Sequence, residues 1–445
     1  MNERILLPMK NARYAWAIAV LGMCFVALAS AQTASSRPTV SPLVKPESVG
    51  FSSDRLENLH KLIQDEIDHK QLAGAITILA RHGRIIDYRT YGMRDIDAKT
   101  PITKDTIFRD YSMSKPVTGV AMMILFEEGK WLPNDPISKY IPEFKNLKVF
   151  NGVDKEGKPV LVDPDHAPTM RELMTHSAGF SYGNGKTVVD GMYKDLKPMQ
   201  SANLQEMIDK LAKIPLNYQP GKGWTYSLSM DIQGYLVEKF SGQSLPDFMR
   251  DRIFTPLDMK DAGFFVPQEK RSRFATNYRN DDGQLVVTDA GSPPNDYTTQ
   301  PTLASGGGGL VSTAEDYYHF AQMLGNGGEF GGKRVLAPAS VKLMGSNHLP
   351  ENLINGDFGI GMHMMRPGFG YGYDCAVVFD PPEANSPVGK GTFFWDGAAG
   401  TWFWVDPTND IVFVGMIQRM TAPDNHPLQY RSHAAVYGAL VDPTK

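Results

Sequence analysis

Residues 110–116 read DYSMSKP, and this short stretch does most to decide the fold. Its Ser112 and Lys115 are three residues apart, so a helix that begins here places both side chains on one face. Pro116 fits only the first turn of such a helix, because deeper in the helix it would remove a backbone hydrogen bond. Ser112 is therefore predicted at a helix N-terminus, where free N–H groups favour developing negative charge.

The pair of Ser112 and Lys115 suggests nucleophilic catalysis. A serine hydroxyl is a poor nucleophile unless a base takes its proton. Lys115 can be that base only as a neutral amine, so its ordinary pKa of about 10.4 must fall by roughly 3 units, or about 4 kcal/mol. Burial can provide this fall. A Ser-x-x-Lys spacing also occurs by chance about once in a chain of this length, so a solvated helix start is the alternative.

Two later stretches supply complementary groups. Residues 223–229 read GWTYSLS and place Tyr226 in a loop before a helix, where a phenol can act as a proton shuttle. Residues 394–400 read FWDGAAG at a predicted strand end, where small residues let backbone N–H groups reach a substrate, as an oxyanion hole requires. The alternatives are a packed tyrosine and a simple turn between two strands.

The apolar pattern predicts strands at both ends of the chain and helices between them. Helices are expected at about 53–70, 113–128, 204–211 and 230–240, with shorter ones opened by the capping box at 169–172 and by the cap at 312–315. Strands are expected at 75–80, 85–91, 392–395, 402–405 and 411–417. The predicted fold class is α/β of the α+β type, with an antiparallel sheet flanked by helices and an inserted, mainly helical lobe. The sheet lobe is predicted at about 51–129 and 266–445, and the helical lobe at about 130–265.

The first 31 residues are predicted to be a signal peptide. Positive charges at Arg4, Lys10 and Arg13 precede an apolar run, and Ala29-Ser30-Ala31 fits the cleavage pattern. The mature protein is then expected to be exported, periplasmic or secreted, with an extended lead-in at 32–50 and no membrane span. An uncleaved anchor is the alternative.

Composition limits the partners. Lys and Arg number 45 against 49 Asp and Glu, a net charge of -4, which gives no basic surface for nucleic acid. Cys24 leaves with the signal peptide, so Cys375 has no intramolecular partner and no internal disulfide is expected. The histidines lack metal-ligand spacing, and Gly306 to Gly309 lack the Lys of a phosphate loop, so neither metal nor cofactor is predicted. A small ester or amide is the expected partner, and the oligomeric state is left open.

In combination, these stretches resemble the serine β-lactamase and penicillin-recognising superfamily. The order of Ser112, Lys115, Tyr226 and a Gly-containing strand motif is similar to that of class C β-lactamases and of family VIII carboxylesterases. Residues 173–179, LMTHSAG, look like the superfamily's Leu-Leu-Thr-His-Thr-Ser-Gly stretch. The resemblance covers about residues 45–440.

This resemblance implies an acyl-enzyme mechanism. Ser112 would be the nucleophile, Lys115 the base or proton relay, and Tyr226 the acid/base partner. The backbone N–H groups of Ser112 and Ala398 would form the oxyanion hole. Which of Lys115 and Tyr226 takes the first proton stays open.

Two departures from the class C pattern favour esters over β-lactams. Leu228 replaces the Asn of Tyr-x-Asn, and residues 395–397 read WDG where these β-lactamases carry Lys-Thr-Gly. Two lost contacts at about 1–3 kcal/mol each would weaken β-lactam recognition, whereas an indole offers an apolar wall to an ester.

Asp396 is unusual, since family VIII enzymes commonly carry Trp-Gly-Gly. If side chains alternate along this strand, Asp396 points away from the site. If Asp396 points inward, its carboxylate would face the oxyanion. The substrate-binding candidates are Trp395, Gly397, Trp224 and Tyr182.

Residues 179–183, GFSYG, fit the nucleophile elbow of α/β-hydrolases. That motif needs a buried strand before it, but a short helix is predicted there, so Ser181 is not expected to be the nucleophile. His176 is expected to be a structural residue at the end of that helix.

Three functions follow in order of preference: a carboxylesterase on small acyl esters, a β-lactamase or a D-amino-acid or cell-wall peptidase or amidase, and a catalytically silent binding protein on the same fold.

Overall fold

Apolar runs from both ends of the chain pair into one antiparallel sheet. The computed structural model describes residues 43–288, 296–350, 353, 367–420 and 426–445. The predicted signal peptide and residues 32–42 of the predicted lead-in lie outside these residues and stay predictions. The described residues all belong to one compact unit.

The strands are short except for the first two. They are β1 Gly74–Arg81, β2 Arg84–Asp95, β3 Thr100–Pro101, β4 Ile107–Arg109, β5 Val149–Val153, β6 Pro159–Val162, β7 Tyr278–Asp281, β8 Gln284–Val287, β9 Val311–Thr313, β10 Glu329–Phe330, β11 Lys333–Arg334, β12 Phe369–Tyr371, β13 Ala376–Val378, β14 Thr392–Asp396, β15 Trp402–Asp406, β16 Ile411–Met416 and β17 Arg419–Met420. The main sheet has the order β12-β13-β14-β15-β16-β1-β2-β3. Its two halves join where β1 pairs with β16, from Ile76 opposite Met416 to Arg81 opposite Ile411.

Helices cover the sheet and fill the middle of the chain. They are α1 Ser53–Asp68, α2 Ser114–Glu127, α3 Met170–Met174, α4 Val188–Leu196, α5 Leu204–Leu211, α6 Ser229–Ser241, α7 Leu245–Met249, α8 Ala314–Gly325, α9 Pro338–Met344 and α10 His426–Ala439. The α2 helix is buried from Ser114 to Leu125, so it forms the centre of the molecule and holds whatever precedes it in a fixed place.

Neighbouring residues of β15 show that the sheet is covered on both faces. The ring of Phe403 lies 5.1 Å from Tyr317 of α8. The ring of the next residue, Trp404, lies 4.3 Å from His433 of α10. Because side chains alternate along a strand, α8 and α10 lie on opposite sides of the sheet.

The predicted fold class is confirmed, and most predicted elements lie within two residues of their observed bounds. One cap is corrected: Thr313, rather than Ser312, caps α8, and its partner is Asp316. Of the eight strands of the main sheet, β3, β12 and β13 were not predicted, and among the helices α10 was not predicted either. The lobe boundaries stay predictions. Within the described ranges, no helix is both long and apolar enough to cross a membrane.

Candidate active site

The Ser112 side chain is presented by a sharp turn directly before α2. Residues Tyr111–Met113 form a single 3-10 turn, and Tyr111 has a left-handed φ of 47°. Ser112 therefore lies at the N-terminal end of this helical segment, in the turn that leads into α2. Pro116 is the third residue of α2, within the predicted first turn.

The Ser112 and Lys115 side chains meet. Lys115 Nζ lies 3.0 Å from Ser112 Oγ and donates to the Gly307 carbonyl at 2.5 Å. The lysine is 1% exposed, and burial lowers its pKa to about 7, against the opposing charges of Asp231, Asp374 and Asp396. A sizeable neutral fraction is thus present at neutral pH, as a base role requires.

Two buried carboxyl groups lie behind the lysine. Asp231 accepts hydrogen bonds from the Ser305 hydroxyl at 2.5 Å and the Gly307 N–H at 3.2 Å, so it fixes the loop whose carbonyl receives Lys115. Asp374 accepts from Gln233 Nε2 at 3.0 Å. Burial raises the pKa of both carboxyl groups. These carboxyl groups keep the pKa of the lysine from falling further.

The Tyr226 ring faces the lysine. Lys115 Nζ lies 4.5 Å from the centre of this ring, and Tyr226 belongs to the loop that enters α6. Burial raises the pKa of the phenol, and a hydrogen bond with the Ser112 side chain opposes that rise. The phenol therefore stays protonated near neutral pH, ready to donate. The three groups expected to act together are brought together.

Aromatic rings surround this group. Trp395 lies 5.6 Å from Tyr226 and 5.3 Å from Tyr371, between ring centres. Tyr182 lies 5.6 Å from Tyr226 on another side. Trp224 is only 1% exposed and stacks 6.4 Å from Tyr226, so it supports the tyrosine from behind. Of the aromatic substrate-binding candidates, Tyr182 is half-buried, whereas Trp395 at 3% exposure and Trp224 are both buried.

The loop after β14 packs against the turn that carries Ser112. A Cβ added at Gly397 would lie 2.3 Å from both the Asp110 carbonyl oxygen and Thr401 Oγ1. Only glycine permits this close approach of the loop to the turn. The Gly397 N–H donates a hydrogen bond to the Thr401 carbonyl at 2.8 Å.

Asp396 lies on the other face of its strand from Trp395. It pairs with Trp402, whereas Trp395 pairs with Phe403. Directly paired residues share a face, so Asp396 follows Trp402 to the α10 side. Of the two orientations that the sequence allowed, the strand register favours the outward one. Its charge still raises the pKa of both Lys115 and Tyr226.

The Ser181 side chain is not placed to act as a nucleophile. It is 4% exposed, and its hydroxyl donates to Asp190 Oδ1 at 2.9 Å. His176 does not act as a base for Ser181, because its Nδ1 contacts Ser227 Oγ at 2.9 Å.

Sequence reasoning did not assign roles to the groups around Lys115 Nζ. Asp374 is brought in from a distant loop and had no local signal. Gly307 contributes a carbonyl, which no residue type reveals. Asp231 lies five residues after Tyr226, in the first turn of α6. In the part of the chain that the structure describes, no three His, Cys, Asp or Glu side chains are grouped so as to hold a metal ion.

Comparison with known proteins identifies the family of this chain. The family model described as Beta-lactamase matches residues 59–437. Protein Rv1367c of Mycobacterium tuberculosis is 35% identical over 381 residues, which is 84% of this chain and 92% of that protein. Esterase EstB of Burkholderia gladioli is 30% identical over 370 residues, 78% of this chain and 86% of EstB.

A solved structure gives the same result. EstCE1, described as a hydrolase with promiscuous acyltransferase activity, superposes with a TM-score of 0.73 at 26% identity, covering 86% of this chain and 99% of EstCE1. The matches span nearly the whole described sheet and the central helices. The chain therefore belongs to the beta-lactamase family and is a serine hydrolase of that family.

Proposed function

We propose that this hydrolase is a carboxylesterase that acts on small acyl esters through an acyl-enzyme on Ser112. The observation that carries the proposal is the 3.0 Å contact between Ser112 Oγ and the buried Lys115 Nζ. A hydroxyl in contact with a half-neutral amine has the base that a serine nucleophile needs.

The first chemical step follows from the protonation states. Neutral Lys115 takes the proton of Ser112 while Oγ forms a bond to the ester carbonyl carbon. The carbonyl oxygen gains negative charge, which the N–H groups of Ser112 and Ala398 are proposed to stabilise. Because the pKa of Tyr226 is raised and that of Lys115 lowered, the lysine is the better first base.

The second step expels the alcohol. Tyr226 gives its proton to the leaving alkoxide oxygen, and the protonated Lys115 returns one proton to the phenolate. The carbon–oxygen ester bond breaks, and the acyl group remains on Ser112. Water then replaces the alcohol, the same transfers run in reverse, and the carboxylic acid leaves.

The wall of the site supports esters over β-lactams. Trp395 contributes an indole 5.6 Å from the Tyr226 ring, at the position where class C β-lactamases carry a lysine for the lactam carboxylate. The similarity to Esterase EstB over 78% of the chain also supports an ester substrate.

Two chromogenic substrates and two serine variants test the proposal. We expect p-nitrophenyl butyrate to be hydrolysed, nitrocefin to be hydrolysed far more slowly, and Ser112→Ala to abolish both activities. Ser181→Ala is the matched control, because it removes a buried hydroxyl without touching Lys115, and it should keep the ester activity. Faster turnover of nitrocefin than of the ester would favour a β-lactamase. Activity that survives Ser112→Ala but not Ser181→Ala would overturn the mechanism, and no turnover at all would favour a silent binding protein.

A further inference from the structure

His176 binds the backbone on both sides of Tyr226. Its carbonyl oxygen accepts the Thr225 N–H at 3.1 Å. Its ring Nδ1 accepts the Ser227 N–H at 3.2 Å. His176, which follows the end of α3, thus binds by itself the two peptide groups that flank the candidate proton donor Tyr226.

The backbone of His176 is shaped for this double contact. Its φ is 60°, in the left-handed region, which histidine and asparagine adopt more readily than most residues. This conformation turns the carbonyl and the ring toward the same loop. The Tyr218 hydroxyl donates a second hydrogen bond to this carbonyl at 3.3 Å, so the carbonyl is held from two sides.

The hydrogen bonds define the tautomer. A backbone N–H can only donate, so Nδ1 is the acceptor and the ring proton is on Nε2. Ser227 Oγ also contacts Nδ1 at 2.9 Å, and Ser229 Oγ lies 2.8 Å from Ser227 Oγ. This hydroxyl chain can orient toward the ring lone pair, which keeps Nδ1 unprotonated.

The rest of the ring is enclosed. His176 is 0% exposed, and its centre lies 4.9 Å from Tyr226, 5.6 Å from Trp224 and 5.4 Å from Tyr371. Nε2 has no hydrogen-bond partner among the described residues. Burial and the nearby Lys115 charge lower the pKa of the ring. A neutral histidine sealed in this way cannot carry protons to the substrate.

We infer that His176 is a positioning residue for the reaction, and that its Nδ1 acceptor fixes Tyr226 where the phenol can protonate the leaving group. This inference rests on the proposed role of Tyr226 in ester hydrolysis. A displacement of about 1 Å costs roughly 100-fold in rate, so loss of the acceptor should lower kcat by a similar factor. The phenol is not required to hold the substrate, so KM should change little.

Two variants isolate the acceptor. In His176→Asn, Oδ1 takes the place of Nδ1, and asparagine tolerates the left-handed φ. In His176→Gln, the amide lies one bond further out, at the position of Nε2. Both variants lose the ring, so both lose packing, and the shared loss of stability can be measured by thermal unfolding. We expect kcat of the Asn variant to stay within about tenfold of wild type and kcat of the Gln variant to fall about 100-fold.

A double-mutant cycle with Tyr226→Phe decides the route of the effect. If His176 acts through the phenol, His176→Gln lowers kcat in the wild-type background and has no further effect in Tyr226→Phe. Equal losses in both backgrounds, or equal losses in the Asn and Gln variants, would show a general packing role and overturn the inference. If Tyr226→Phe itself keeps full kcat, the proposed role of Tyr226 fails first, which separates the two claims.

Discussion

At the scale of single residues, the account depends on the protonation state of Lys115. The amine is buried beside Ser112 and has a pKa of about 7. Only the neutral form can accept the serine proton, so kcat/KM should fall tenfold per pH unit below about pH 7 and be level above it. The raised pKa of Tyr226 keeps the phenol protonated through the pH range in which Lys115 titrates.

The measurement is a pH profile of p-nitrophenyl butyrate hydrolysis. Lys115→Arg is the control, because a guanidinium stays charged and should leave almost no activity at any pH. A profile that stays level down to pH 5 would show that the lysine does not act as the base.

Asp396 allows the charge around Lys115 to be changed from the edge of the site. Its carboxylate lies on the opposite face from Trp395 and raises the pKa of the lysine. Asp396→Asn should therefore move the acid limb of the profile to lower pH while the plateau of kcat stays within about threefold of wild type. An acid limb that moves to higher pH would contradict this electrostatic role.

At the scale of elements, one glycine couples the sheet to the turn before α2. A Cβ at Gly397 would lie 2.3 Å from the Asp110 carbonyl oxygen, so Gly397→Ala must push the β14 loop away from Ser112. We expect the free energy of unfolding to fall by about 1–3 kcal/mol and kcat to fall at least about tenfold.

Gly191 provides the matched control within α4. An added Cβ there meets nothing within 4 Å, so Gly191→Ala should raise the free energy of unfolding by about 1 kcal/mol and leave kcat unchanged. Denaturant unfolding and steady-state kinetics measure both effects. Equal stability and equal kcat for the two variants would remove the coupling between β14 and the turn.

Elements with a strong local pattern were predictable, and elements that depend on distant partners were not. The capping box of Thr169 and Glu172 and the apolar spacing of α5 reproduce the observed helix starts. The three-residue strand β13 is a strand because it pairs with β12 and β14, neither of which lies in a window of its own sequence.

The same reasoning applies to the site. Ser112, Lys115 and Tyr226 stand in recognisable local motifs. Asp374 reaches the Lys115 pocket through the tertiary fold alone, and its partner Gln233 lies in α6. The contact of His176 with the Tyr226 loop likewise follows from tertiary packing, although the histidine itself stands in a motif.

At the scale of the whole molecule, stability comes from the covered sheet rather than from a cross-link among the described residues. Cys375 is free and buried, and burial raises the pKa of its thiol. We expect the native protein to resist a thiol reagent such as dithionitrobenzoate, and the unfolded chain to react.

The number of thiols also tests the predicted processing. A mature chain without Cys24 should release one equivalent of product on unfolding, and a chain that keeps its first 31 residues should release two. Rapid reaction of the native protein would contradict the buried position of Cys375. Export itself stays a prediction until the mature N-terminus is sequenced, with Gln32 as the expected first residue.

The most direct test of the central claim is to find the atom that carries the acyl group. Protein quenched in acid during turnover of p-nitrophenyl butyrate is digested, and the modified peptide is located by mass spectrometry. The account predicts one butyryl group on Ser112, absent from Ser112→Ala. A butyryl group on Ser181, or turnover with no acylated serine at all, would contradict it.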